Sequence, residues 1–215
     1  IKFRGRDKTL STLKGYQTSK ARYLLFEKKE KYTITYDTID LNFFYKFISF
    51  LRSNGLAHNS IAKSIRTIKV WMSEAVELGY TKNVKWKSRK FAVPEIEVES
   101  VYLNDDEILK LHNYKPQSKR LETAKDLFLV GCCTGMRFSD YSNLKPENIV
   151  TIESEMYFNV KTKKTGNTVI VPCNHIILEL FKKYASNENK LPKSISGQKL
   201  NEYIKEVCKL AGFNE

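Results

Sequence analysis

Two basic side chains stand where chemistry on a phosphodiester could use them. Arg137 lies in Thr134-Gly135-Met136-Arg137-Phe138-Ser139-Asp140, two residues after a glycine suited to ending a helix. A guanidinium held there by rigid neighbours presents a planar fork that matches two non-bridging phosphate oxygens. Asp140, three residues on, can orient it from behind. Lys164 lies in Lys163-Lys164-Thr165-Gly166-Asn167, a run with turn chemistry. An ammonium on such a tip can enter a groove and protonate a leaving hydroxyl. Taken singly, an Arg–Asp pair that ties a turn and a solvated turn lysine are the plainer readings. A buried helix, Thr-Gly-x-Arg-x-x-Asp, a short helix and a Lys-Thr-Gly turn in this order are far more specific than either piece.

The surrounding pattern predicts elements that would hold these residues. Ser118 to Cys133 reads as a largely buried helix ended by Thr134-Gly135, and Phe138 to Leu144 as a short helix closed by Pro146. Met156, Phe158 and Val160 then alternate with Tyr157, Asn159 and Lys161. Val169 and Val171 resume the alternation after the lysine turn, so a β-hairpin is expected. Asn104-Asp105-Asp106-Glu107 fits a capping box for a helix reaching about Tyr114. Two further helices are expected over about 174–186 and 196–211.

The N-terminal part reads as all helix. Thr9 to Lys29 mixes apolar positions with lysines. Asp37 to Ser53 places Leu41, Phe44, Tyr45, Ile48 and Leu51 on one face, with Asp37 as the cap and Gly55 at the end. Asn59 to Leu78 repeats the logic with Ile61, Ile65, Ile68, Met72 and Ala75, and stops at Gly79. From Asn83 to Glu99 the pattern breaks, turning from basic to acidic across Pro94, which marks a linker. Two domains are expected, 1–93 and 94–215.

Net charge is +13, and its placement matters more than its size. Residues 1–93 hold 20 Lys/Arg against 7 Asp/Glu, whereas residues 94–215 hold 17 of each. So lopsided a field favours a polyanion such as nucleic acid. An anionic membrane is the weaker rival, since no basic amphipathic helix stands apart from a core. No apolar run is long enough to span a bilayer, and Ile1-Lys2-Phe3-Arg4 lacks the layout of a secretory signal. Cys132, Cys133, Cys173 and Cys208 form no metal-ligand spacing and suit reduced thiols, with the vicinal pair as core filler.

The order of these motifs resembles the tyrosine recombinase (phage integrase) family: a basic helical core-binding domain, then the first part of the catalytic domain. The resemblance implies a mainly α fold with a small β-sheet, an N-terminal SAM-like helical bundle and a partial α+β catalytic domain. It implies Arg137 as the first catalytic arginine, Lys164 as the hairpin lysine and Asp140 as the acidic support of the arginine. Such enzymes cut and rejoin duplex DNA through a 3′-phosphotyrosyl link, without metal or other cofactor. They act as homo-tetramers on DNA, in bacteria and mobile elements. A cytoplasmic setting, on the nucleoid during reaction, follows from the same resemblance.

The family next needs His-x-x-Arg, then His or Trp, then the nucleophilic tyrosine. Three residues after His58, His112 and His175 stand Ile61, Lys115 and Leu178, so the motif is not met. The expectation is therefore a nucleophile outside these residues. The 215 residues alone should bind DNA without cleaving it, and are compatible with a monomer. Tyr184 and Tyr203 come too early in the order and are expected to pack between helices. A non-catalytic DNA-binding protein derived from a recombinase is the alternative. An RNA-binding module is a further rival, but no RNP, KH or cold-shock pattern occurs.

DNA-contacting residues follow from helical geometry and from the resemblance. On the helix from Asn59, at about 100° per residue, Asn59, Lys63 and Arg66 lie opposite the isoleucine stripe, with Lys69 at the flank. Such a face can read base edges in a major groove; a solvated lysine-rich face is the plainer alternative. Arg22, Lys85, Lys87, Arg89 and Lys90 are expected on phosphates. Lys161 and Lys163 are alternatives to Lys164 in the hairpin, or further DNA contacts.

Overall fold

The computed structural model describes residues 2–3, 6–7, 9–187 and 190–213. The chain divides into two compact units, Ile1–Ser100 and Val101–Glu215.

The first unit opens with a two-stranded antiparallel pair, β1 (Lys2–Phe3) and β2 (Arg6–Asp7), followed by three helices. These are α1 (Leu10–Glu30), α2 (Leu41–Ser53) and α3 (His58–Glu77). The core is aromatic. Phe26, Phe43 and Phe47 are fully buried, and Phe26 meets Phe47 edge-on at 5.3 Å and Phe43 at 5.8 Å. A small domain gains by using large rings, because each buries much apolar area at little side-chain entropy cost. The expected stripe on α3 holds, with Ile61, Ile65, Ile68, Met72 and Ala75 all buried.

Three expectations are corrected here. Helix α2 is capped by Asp40, not Asp37: Asp40 Oδ1 accepts from the Phe43 N–H at 3.0 Å, while Asp37 sits in a turn beside the mutually bonded Thr35 and Thr38. Tyr45 points outward at 57% exposure, because the buried face also takes in Phe43, Phe47 and Phe50 and turns away from it. The basic half of the expected linker belongs to the first core. Trp86, in a 3₁₀ turn over Lys85–Lys87, and Phe91 are buried in it, and Asn83 ties the segment down by donating to the carbonyls of Tyr36 and Ile39. The remainder, residues 92–104, has no regular secondary structure.

The second unit contains α4 (Asp105–Asn113), α5 (Lys119–Thr134), α6 (Phe138–Tyr141), β3 (Ile149–Ile152), β4 (Glu155–Lys161), β5 (Thr168–Pro172), α7 (His175–Lys183) and α8 (Gly197–Leu210). The Asn104–Glu107 capping box is formed in both directions at 2.9 Å. The sheet is antiparallel in the order β3-β4-β5, with Phe158 opposite Val171 and Val160 opposite Val169. Phe158 and Val160 bury one face against the helical core. Strand β3 was not anticipated: its turn to β4 uses Glu153 and Ser154, both at positive φ, without the glycine or asparagine that normally signals such a hairpin. Helix α6 is shorter than expected, ending at Tyr141, and Pro146 opens a 3₁₀ turn.

A buried ionic network fastens α7 to α5. Asp126, 1% exposed, accepts from Lys183 Nζ at 2.6 Å and Tyr184 Oη at 2.8 Å, with Lys125 Nζ at 3.4 Å. Lys125, itself buried, also donates to the carbonyls of His112 and Tyr114. Tyr184 thus has a packing role; burial, followed by the Asp126 charge, raises its pKa above the usual phenol value. Tyr203 packs against the same core and lies under the Arg120 guanidinium at 5.3 Å.

Candidate nucleic-acid interface and catalytic corner

Helix α5 ends as its sequence requires. Gly135 takes φ 62°, a left-handed geometry that costs glycine least, and its N–H bonds Gly131 O. The chain then re-enters helix at once, with Arg137 as the extended cap residue of α6. Two glycines let α6 sit close to its neighbours. A Cβ on Gly131 would lie 2.8 Å from the Tyr141 ring, and one on Gly197 would lie 3.2 Å from Phe138. Phe138 and Tyr141 themselves meet edge-on at 5.6 Å. With both rings of α6 seated, Arg137 faces solvent. Its guanidinium makes no hydrogen bond or ion pair among the described residues.

The Asp140 carboxylate makes no hydrogen bond or ion pair with the Arg137 guanidinium; the two residues meet only through the backbone, where the Asp140 N–H donates to Arg137 O at 2.8 Å. Asp140 is 4% exposed, and its Oδ1 accepts from the backbone N–H of Lys163 at 3.0 Å and from Ser139 Oγ at 3.4 Å. Its Oδ2 is buried with no partner. The carboxylate therefore joins α6 to the β4–β5 turn, and supports the residue next to Lys164 rather than the arginine. The inward position of Asp140 on a single helical turn, with Arg137 at the exposed cap, explains the difference.

The turn itself is internally bonded. Buried Thr162 bridges it: Thr162 Oγ1 lies 2.8 Å from Thr165 Oγ1, and Thr162 both receives from Gly166 N and donates to Asn167 O. Gly166 takes φ 75°. Lys161, Lys163 and Lys164 are exposed, and their side chains have no partner among the described residues. Thr162 was missed from sequence, although threonines three apart across a turn are a readable bonding signal.

On the first unit, the basic face of α3 is partly occupied. Asn59 Nδ2 donates to Ile96 O at 2.9 Å, and Ile96 N–H donates to Asn59 Oδ1 at 3.0 Å. Arg66 pairs with Glu95, and Lys69 Nζ donates to Phe91 O at 3.2 Å. His58, not singled out from sequence, bonds Pro94 O at 2.8 Å. Arg22 turns onto α3, donating to Ser64 Oγ at 2.8 Å. Lys63, Lys85, Lys87, Arg89 and Lys90 are exposed, with Lys87 over the Trp86 ring at 5.5 Å.

Among the described residues, no cluster of three His, Cys, Asp or Glu side chains could hold a metal ion, and no helix is long and apolar enough to cross a membrane. The four cysteines are free and half-buried, and burial pushes the Cys132 and Cys173 thiols up to about 11.

A helical unit with a basic face, followed by a mainly helical unit with a three-stranded sheet, is the fold of the tyrosine recombinases. Residues 2–93 match the phage integrase SAM-like domain family. The chain is similar to lambda integrase in a tetramer bound to a Holliday junction (19% identity, TM-score 0.70), covering 98% of this chain and 63% of that one. It is similar to XerH site-specific recombinase in a pre-cleavage complex with difH (16% identity, TM-score 0.68; 96% and 65% covered). It is also similar to the Tn1549 transposon integrase with circular intermediate DNA (14% identity, TM-score 0.65; 96% and 75% covered). What is shared at these identities is the fold, and the chain spans less than two thirds of the lambda integrase and XerH chains. No curated protein matches the sequence. The family match thus falls on residues 2–93 of the first unit, and the chain has the tyrosine recombinase fold.

Proposed function

We propose that this chain is the DNA-gripping and phosphate-activating part of a site-specific recombinase or integrase acting on double-stranded DNA. The observation that carries the reading is the corner formed by α6 and the β4–β5 turn. Arg137 stands unpaired at one side, and the buried Asp140 of the same short helix holds the amide beside Lys164 at the other.

In this reading Arg137 binds the non-bridging oxygens of the scissile phosphate, where its charge counts most as negative charge builds in the transition state. Lys164 donates the proton that the 5′-oxygen takes as it leaves. A tyrosine outside the 215 residues attacks phosphorus through its hydroxyl oxygen and gives the 3′-phosphotyrosyl link. The first unit supplies sequence-reading and phosphate contacts through Asn59, Lys63, Arg66, Lys69, Arg22, Lys85, Lys87, Arg89 and Lys90. Lys161 and Lys163 supply further contacts beside the corner. Recombination on DNA by four copies of the whole protein completes the proposal.

The test pairs two assays. The 215-residue protein should bind duplex DNA, compete poorly for single-stranded RNA, and form no covalent DNA adduct. The whole protein should form the adduct, and Arg137→Ala with Lys164→Ala should abolish it while duplex binding persists. An unchanged adduct yield in the double variant would reduce the reading to DNA binding alone. Turnover by the 215 residues would show that the nucleophile lies within them.

A further inference from the structure

The segment after Phe91 folds back onto the basic face of α3. Four side chains along one side of that helix, His58, Asn59, Arg66 and Lys69, all bond to residues 91–96. The chemistry of these bonds matters. Asn59 spends both its amide donor and its amide acceptor on one backbone residue, Ile96. An asparagine reads a base edge with that same donor–acceptor pair. Arg66 directs one guanidinium N–H to the Glu95 carboxylate, an oxyanion that a phosphate could replace. Within this unit, therefore, the segment offers α3 the groups that a duplex would offer it.

The segment is also loosely held. Phe91 is fully buried and anchors its start. Beyond it, residues 92–104 have no regular secondary structure, and Ile96 and Val98 are 54% and 66% exposed. Lifting residues 94–99 from α3 would uncover no buried apolar side chain of their own. The Arg66–Glu95 pair is about half exposed on both sides, the kind of ion pair that contributes little in water. Glu97 and Glu99 have no partner among the described residues and add negative charge beside a basic face.

We propose that residues 94–99 form a displaceable acidic strap that covers the outward face of α3 in the free protein and must leave when duplex DNA binds there. The inference rests on the reading of α3 as a DNA-facing helix. Lys63 and the Lys85–Lys90 cluster, which the strap leaves uncovered, make the first contacts. Asn59 and Arg66 become available only once the strap peels away from Phe91 onward. The strap lowers affinity for any duplex that cannot replace both the carboxylate on Arg66 and the peptide group on Asn59, so it discriminates against non-specific DNA.

Three variants separate strap release from simple charge removal. Ile96→Pro deletes the N–H that bonds Asn59 without changing charge. Glu95→Gln removes the partner of Arg66. Glu97→Gln removes one charge from the same segment without touching α3. Binding of a fluorescent duplex is measured by anisotropy at one fixed salt concentration, with circular dichroism to check folding. One surface hydrogen bond corresponds to about a two- to tenfold change in affinity. Ile96→Pro should bind tighter than native by that factor, and Glu95→Gln should gain clearly more than Glu97→Gln. Hydrogen exchange at the Ile96 amide of the native protein should quicken when duplex is saturating. If native protein binds DNA but Ile96→Pro binds no tighter, and Glu95→Gln matches Glu97→Gln, the strap is overturned and the DNA reading stands. If no form binds duplex, the assignment of α3 as a DNA-facing helix is overturned, and the strap with it.

Discussion

Helix α3 and the α6–hairpin corner carry their cations in opposite ways. On α3 the heads of Arg66 and Lys69 and the amide of Asn59 are engaged by the protein itself, through residues 91–96. At the corner, Arg137 and Lys164 are unengaged, and the bonding is spent one step back, on Asp140, Thr162 and Thr165. On the function proposed above, the difference suits two tasks. A face that only binds can afford exchangeable partners, because displacing a surface bond costs little. A group asked to stabilise a transition state gains from being unpaired and aimed by a rigid support. The two units differ in cores as well. The first is built on stacked and edge-on phenylalanines, the second on aliphatic side chains with a buried ionic network.

Tryptophan allows the units to be followed separately, since Trp71 and Trp86 both lie in the first unit and the second has none. The largest effects should come from the cores. Phe26→Ala removes a fully buried ring at the centre of the aromatic cluster and should cost about 3–5 kcal/mol. It should lower the tryptophan-detected unfolding midpoint. Asp126→Ala leaves the charge of buried Lys125 without its carboxylate and should cost about 3–5 kcal/mol in the second unit. It should move the circular-dichroism transition but not the tryptophan signal. Equal movement of both signals in either variant would mean that the units unfold as one.

A smaller loss is expected from Gly131→Ala. The new methyl meets the Tyr141 ring at 2.8 Å, so α6 must shift, at about 1–3 kcal/mol. Because Asp140 rides on α6, amide exchange at Lys163 should quicken as well. Unchanged protection there would show that the turn holds itself through Thr162 and Thr165 alone.

The exposed cations should matter less to stability. Lys63→Ala and Arg137→Ala should each stay within about 0.5 kcal/mol of native, as surface changes do. If each meets a phosphate, duplex binding should weaken and the log–log salt slope should fall by about one unit. A salt slope unchanged in one variant only would assign DNA contact to the other region.

A further effect is alkaline. Burial raises the Cys132 and Cys173 thiols to about 11 from an ordinary 9.0. The fold favours the neutral thiol, so this contribution is complete below pH 9 and is lost as pH rises through about 11. The first unit has no cysteine, and its raised groups are the phenols of Tyr23 and Tyr32, with an ordinary value of 10.0. The second unit should therefore begin to weaken at lower pH than the first, measured by urea midpoints across that range.

Much was legible in residue order alone. The α3 stripe, the Asn104 capping box, Gly135 at the end of α5 and the Lys-Thr-Gly turn are local signals, set by periodicity, caps and allowed dihedrals over a few residues. The basic bias of the first 93 residues needs no fold to be counted. Other features depend on residues far apart in the chain. Strand β3 exists because β4 pairs with it across a turn without glycine. Trp86 and Phe91 belong to the first core because α2 and α3 leave room for them. Asp140 serves the hairpin rather than its neighbour Arg137 because a single helical turn, pinned by Tyr141 on Gly131, sends the two side chains apart. Whether a polar side chain is free or already spent, as on α3, is a question of what folds back onto it. Sequence by itself determined which groups the protein carries; only the tertiary structure decided which of them remain available.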